Sequence, residues 1–155
     1  MPYSPAVADA SIEVACSAAH AWALLTDVER IPAWVPGVAE VSVLKRDRHP
    51  RVVQFVTMPS TGSLVYRLRY QHDEVDLTQR WSSIEGDERG LDGAARVVDL
   101  GDGRCRLHYQ LSSWAGRAVP RWAQAALADD TAQRTVLAFR RWAEGQDGGA
   151  PHEPR

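Results

Sequence analysis

Three tyrosines recur at alternating positions within short apolar runs: Tyr66 and Tyr70 in SLVYRLRYQH, and Tyr109 in RCRLHYQL. Period-two alternation puts residues of one parity on one face of a β-strand. Tyr66 and Tyr70 therefore share a face with Leu64 and Leu68, and Tyr109 shares one with Cys105, Leu107 and Leu111. In the run between them Gln79 and Trp81 share the parity of Leu77. Each of these polar side chains needs a hydrogen-bond partner once buried. Any one of them alone is either a core residue bonded to backbone or water, or a contact for a ligand. Three phenols on one face point to the second reading. A phenol donates to a carbonyl or an enolate, so Tyr66 and Tyr70 are the candidate catalytic residues for polarising or protonating a bound ketone.

Other chemistries find less support. His20, His49, His72, His108 and His152 form no pair with ligand spacing and Cys16 and Cys105 lie far apart, so no metal is expected. There is no G-x-S-x-G elbow for a serine nucleophile. Asp129 and Asp130 are adjacent in a helical stretch and diverge by about 100°, which keeps them from sharing a site. His108 alternates with the inward residues of its strand and belongs on the solvent side with Arg104 and Arg106.

Composition narrows the partners. The 155 residues suit one domain with a sizeable core, and the formal charge of −2 gives no reason to expect nucleic acid or an anionic membrane. No apolar run approaches the roughly 20 residues of a membrane span, and MPYSPAVADA lacks the features of a signal peptide, so a cytoplasmic protein is expected. In a reducing compartment two cysteines read as buried thiols rather than a disulfide. Lys45 is the sole lysine among many arginines, a usage typical of a GC-rich bacterial genome.

The elements that must position these residues are read in order. Ser11 to Cys16 alternates as a strand, Ser17 stands as an N-cap, and Trp22, Leu24 and Leu25 follow in a short helix. Asp27 is placed to cap a second short helix carrying Val28, Ile31 and Trp34 on one side, limited by Pro32 and Pro36. Val41 and Val43 then return the chain to strand. From Arg51 to Leu111 the pattern is an antiparallel meander: Val52 to Met58, Ser63 to His72, the Leu77 to Trp81 strand, Leu91 to Leu100, and a strand from Arg104 after a Gly101–Gly103 turn. From about Ala118 to Glu144 an apolar stripe at helical spacing predicts a helix roughly 40 Å long. Residues 1–9 read as an N-terminal extension, 10–145 as the domain, and 146–155 as a disordered tail.

The block SIEVACSAAHAWALLTDVERIPAWVPGVAEVSVL, with its LLTDVERIPAW core, resembles the entry segment of the START-like (SRPBCC) superfamily, specifically the polyketide cyclase/dehydrase and lipid-transport group. The resemblance implies an α+β helix-grip fold. In it a curved antiparallel sheet of about seven strands wraps a long C-terminal helix, with two short helices between the first two strands and a cavity between sheet and helix. Ala125 and Ala132, between the bulkier Trp122 and Val136, would leave room for that cavity, although close helix-to-sheet packing is the alternative. Its substrate-binding wall would comprise Trp122, Ala125, Ala132 and Val136 from the helix, Gln79, Trp81 and Tyr109 from the sheet, and Trp34 near the mouth, with Trp114 in a comparable position.

Aromatase/cyclases of this superfamily carry a cavity Arg on the middle strand; by parity Tyr70 or Leu68 takes that slot here, with Arg67 and Arg69 outward. The resemblance thus implies a cofactor-free protein, monomeric or homodimeric, that encloses a hydrophobic, oxygenated small molecule. It would promote cyclisation or dehydration, with a carrier-protein-bound polyketide among its expected substrates. A non-catalytic lipid or quinone carrier and an interaction domain with a collapsed cavity are the alternatives, the latter disfavoured by the arginines on the sheet's outer face.

Overall fold

The computed structural model describes residues 8–35, 37–57, 64–84, 92–112 and 121–145; the side chains of Leu64 and of residues 121–129 are not among those described. Seven strands form one antiparallel sheet: β1 (Ala8–Val14), β2 (Val38–Arg46), β3 (Pro50–Thr57), β4 (Leu64–Asp73), β5 (Thr78–Ser83), β6 (Gly93–Gly101) and β7 (Arg104–Leu111). Their spatial order is β1-β7-β6-β5-β4-β3-β2, so β2 to β7 make a meander and β1 closes onto its last strand. Sequential neighbours, β1 and β2, end up at opposite edges. Helix α1 (Ala18–Thr26), a 3-10 turn (Val28–Arg30) and α2 (Ile31–Trp34) carry the chain between those edges. Helix α3 (Arg121–Gly145) lies mainly against β1 and β7.

Local chemistry accounts for most of these elements. The Ser17 side chain accepts the His20 N–H and caps α1, as expected. Asp27 does not cap the second helix with its side chain. Its backbone closes α1 instead, and the expected helix is a 3-10 turn running into four α-helical residues, with Pro32 in a first turn where its missing N–H removes no helical hydrogen bond. The first strand begins at Ala8, inside the expected extension, and ends at Val14 rather than Cys16. It runs that far because Ala8 pairs with Leu111 and Val14 with Cys105, so the length of β7 decides it.

At the β6–β7 turn Gly101, Asp102 and Gly103 all have positive φ, the backbone that the GDG sequence anticipates. The expected turns at Pro59–Gly62 and Glu85–Gly90, and the tail from 146, lie outside the described residues.

The sheet's two faces differ as the alternation requires. Arg67, Arg69, Arg104 and His108 are exposed, and Arg104 pairs with Glu13 across the β1–β7 ladder. The other face carries the core: Val14, Val53, Leu107, Cys105, Val136 and Phe139 are all at or below 1% exposure. Cys16 and Cys105 are buried free thiols, and the two side chains are hydrogen-bonded to one another. At the end of α3 a Glu144 carboxylate oxygen accepts the Ala15 N–H at 2.9 Å, which ties the helix to the end of β1.

Candidate ligand-binding cavity

Because α3 leans on β1 and β7, the concave face of β3, β4 and β5 is left uncovered beneath it. A cavity of about 390 Å³ occupies that space, a size typical of small-molecule sites. From the sheet it is lined by Phe55, Tyr66, Leu68, Tyr70, Gln79, Trp81 and Tyr109, and from α2 by Trp34. All the tyrosines, the glutamine and both tryptophans expected at these positions are thus brought together. Among the described lining residues none carries a carboxylate, imidazole, amine or guanidinium.

The aromatic rings form a continuous band. Phe55 stacks on Tyr66 with centroids 5.2 Å apart, Tyr70 lies 6.0 Å from Trp81, and Trp81 lies 5.5 Å from Tyr109. The last contact spans β6, and it exists because β6 offers only Gly93 and Ala95 between them. Trp81 is opposite Gly93, and a Cβ on Gly93 would meet the indole at 2.7 Å and the Gln110 carbonyl oxygen at 2.5 Å. Sequence reasoning passed over Gly93. The small-residue run GAA at 93–95 was its signal.

Two of the phenols are held neutral. Burial, followed by the neighbouring Tyr66 and Tyr109, keeps the Tyr70 hydroxyl well above its ordinary value of 10.0. Burial and Tyr66 likewise push Tyr109 up, against the effect of a hydrogen bond with Thr135. Thr135 in turn donates its hydroxyl to the Thr131 carbonyl oxygen at 2.8 Å. With that proton committed, Tyr109 is the donor to Thr135 Oγ1. Such phenols serve as hydrogen-bond donors, not as nucleophiles or bases, near neutral pH.

The helix meets the cavity with a different face from the one expected. Ala132 and Val136, at 0% and 1% exposure, belong to the closed part of the core together with Phe139 and Ala143. Thr131 and Thr135 line the cavity instead. Each sits one position, about 100° of helical rotation, from the apolar stripe, so the stripe marks what packs and not what faces the void. Trp122 and Ala125 lie on α3 where side chains are not described, and Trp114 also falls outside the described residues.

Trp34 stands edge-on to Phe139 at 5.3 Å, and its indole N–H is buried with no partner among the described residues. Asp130 is exposed and pairs with Arg134 at 2.9 Å, while the Asp129 side chain lies outside those described. Among the described residues no three His, Cys, Asp or Glu side chains converge as metal ligands, and no helix is long and apolar enough to cross a membrane.

The family model for polyketide cyclase/dehydrase and lipid transport matches residues 14–140. The chain belongs to that family. Among solved structures, a START superfamily protein from Mycobacterium smegmatis is similar at 21% identity and a TM-score of 0.78, over 88% of this chain and 95% of that one. An aromatase/cyclase from Streptomyces sp. R1128 is similar at 18% identity and 0.70, over 89% and 93%. A STAR-related lipid transfer protein from Xanthomonas axonopodis is similar at 17% identity and 0.66, over 87% and 84%. These likenesses establish the START-like, helix-grip fold of this polyketide cyclase/dehydrase family member. No curated protein matches it in sequence. On β4, beside the central strand β5, the inward slots hold Leu68 and Tyr70, while Arg67 and Arg69 are exposed on the outer face.

Proposed function

We propose that the protein encloses a hydrophobic, oxygenated small molecule in this cavity and promotes its cyclisation or loss of water without a cofactor. The supporting observation is the convergence of Tyr66, Tyr70 and Tyr109 on one apolar cavity that holds no charged lining group among the described residues. Confinement restricts the conformers of a flexible chain and excludes bulk water, and a neutral phenol donates to a carbonyl as negative charge develops on its oxygen. Tyr66 and Tyr70 are the proposed catalytic donors. Trp34, Gln79, Trp81 and Tyr109 are the proposed binding contacts.

With Leu68 and Tyr70 in the inward slots of β4, orientation by a cavity arginine is not part of this reading. The substrate is a free molecule or a polyketide held on a carrier protein, met by a monomer or homodimer in the cytoplasm.

A second reading, a non-catalytic lipid or quinone carrier, is favoured by the absence of any general base among the described lining residues. Native mass spectrometry of the protein from its own host, under mild and then denaturing conditions, tests both. A released polyketide-like molecule supports the first reading and supplies its assay; a lipid or quinone supports the second. With such a substrate, Tyr70→Phe lowers turnover while leaving affinity near wild type if the phenol acts in the transition state, and changes neither if the protein only carries. Repeated release of nothing would count against both.

A further inference from the structure

At the cavity wall stands a polar pair that the tyrosine chemistry does not use. His72 Nε2 lies 2.9 Å from Gln79 Oε1, between residues directly opposite in the β4–β5 ladder. A carboxamide oxygen only accepts, so Nε2 carries the hydrogen. His72 Nδ1 is buried with no partner among the described residues. A bare lone pair is tolerable there, whereas an N–H would be stranded. The ring is also enclosed sterically, edge-on to Trp22 at 5.7 Å, to His49 at 4.6 Å and to Tyr70 at 6.3 Å.

This arrangement fixes which end of Gln79 the cavity meets. Gln79 is 3% exposed and lines the cavity. Its oxygen accepts from His72 Nε2. A carboxamide free to turn would offer a ligand either a donor or an acceptor. One pinned through its oxygen keeps that oxygen turned to His72 and points its N–H donors away from it.

We infer that His72 is a positioning residue that holds Gln79 as a hydrogen-bond donor toward the ligand, so that the cavity selects molecules presenting a carbonyl over isosteres that present a hydroxyl or no polar group. The inference rests on the reading of the cavity as a ligand chamber and adds to it the polarity of the group recognised. Together with the neutral Tyr70 hydroxyl, the pinned amide gives the wall two donor groups. A ligand carbonyl accepts from that amide and brings no hydrogen of its own to place, whereas a hydroxyl that accepts from Gln79 must still find an acceptor for its hydrogen.

The test uses three rigid probes of nearly equal shape with the full chain: 9-fluorenone, 9-fluorenol and fluorene. The wild-type protein is expected to bind fluorenone roughly fivefold more tightly than fluorene, the size of one net hydrogen bond. The carbonyl stretch of the bound ketone should move to lower wavenumber than in hydrocarbon solvent. Gln79→Leu abolishes both the preference and part of the shift. His72→Leu weakens both by releasing the amide, and His72→Gln, which restores an N–H donor to Gln79, recovers them. Fluorene affinity should stay unchanged in the two His72 variants, which reports an intact cavity.

Equal binding of fluorenone and fluorene with no spectral shift would overturn the inference and leave the chamber standing. Preference for fluorenol over fluorenone would show that the wall selects for a donor as well as an acceptor and would also overturn it. Failure of all three to bind the wild-type protein would remove the chamber itself and the inference with it. The spectral shift is read on the wild-type protein, so the test does not depend on any variant folding.

Discussion

Gly93 lies directly opposite Trp81 in the β5–β6 ladder, and the indole covers it so closely that a Cβ would come within 2.7 Å of the ring. The missing side chain is what lets Trp81 reach across β6 to Tyr109. Gly93→Ala is therefore expected to destabilise the fold by about 1–3 kcal/mol, as overpacking does. It should also tilt the indole into the cavity. Urea denaturation together with near-UV circular dichroism checks this, and wild-type stability with an unchanged aromatic spectrum would refute it.

His72 titrates below its ordinary value of 6.5. Burial is the main cause, followed by His49; Arg51 adds to the lowering, while the Gln79 hydrogen bond and Glu74 oppose it. Between the lowered native value and 6.5 the unfolded chain binds the proton more readily, so stability falls as pH falls through that window and is complete above it. Urea midpoints measured from pH 8 to pH 5 for wild type and His72→Gln should diverge below 6.5, with the wild type losing more. Parallel curves would contradict the assignment.

Tyr70 and Tyr109 behave in the opposite sense, because burial raises both above 10.0. Above pH 10 the unfolded chain releases these phenolic protons first, so their contribution to stability is whole below pH 10 and declines as pH rises further. Phenolate absorbance in the native protein should accordingly stop short of the full complement of four tyrosines until alkaline unfolding sets in. Smooth ionisation of all four near pH 10 in the folded state would refute this.

The rotation of α3 is tested by adjacent positions. Val136 is 1% exposed in the closed core, whereas Thr135 lines the cavity. Val136→Thr buries a hydroxyl there and is expected to cost about 1–3 kcal/mol. Thr135→Ser keeps the hydroxyl that Tyr109 and the Thr131 carbonyl use and should remain near wild type in thermal unfolding. A reversed order of the two would place the helix the other way round.

Much of this was legible in the chain. Alternation is a local property, so the inward parity of Tyr66, Tyr70, Gln79, Trp81 and Tyr109 follows from the strands that contain them, as does the outward parity of Arg67 and Arg69. The apolar period of the last segment likewise marks a helix, and Ser17 marks the start of another. What stayed hidden depends on how elements meet. Ala132 and Val136 are the apolar stripe, but only the lean of α3 toward β1 and β7 decides that the stripe packs and that Thr131 and Thr135 face the void. Asp27 could cap a helix by type, yet its side chain makes no cap hydrogen bond and its backbone N–H closes α1 instead.

Register decided the rest. That His72 stands opposite Gln79, Trp81 opposite Gly93, and Val14 opposite Cys105 is a matter of strand pairing. Pairing is set by contacts between residues distant in sequence, which no local pattern encodes. The sequence by itself determined the faces of the elements and the residue types on them; tertiary structure decided which of those faces enclose space, because a cavity is a relation between surfaces rather than a property of any one of them.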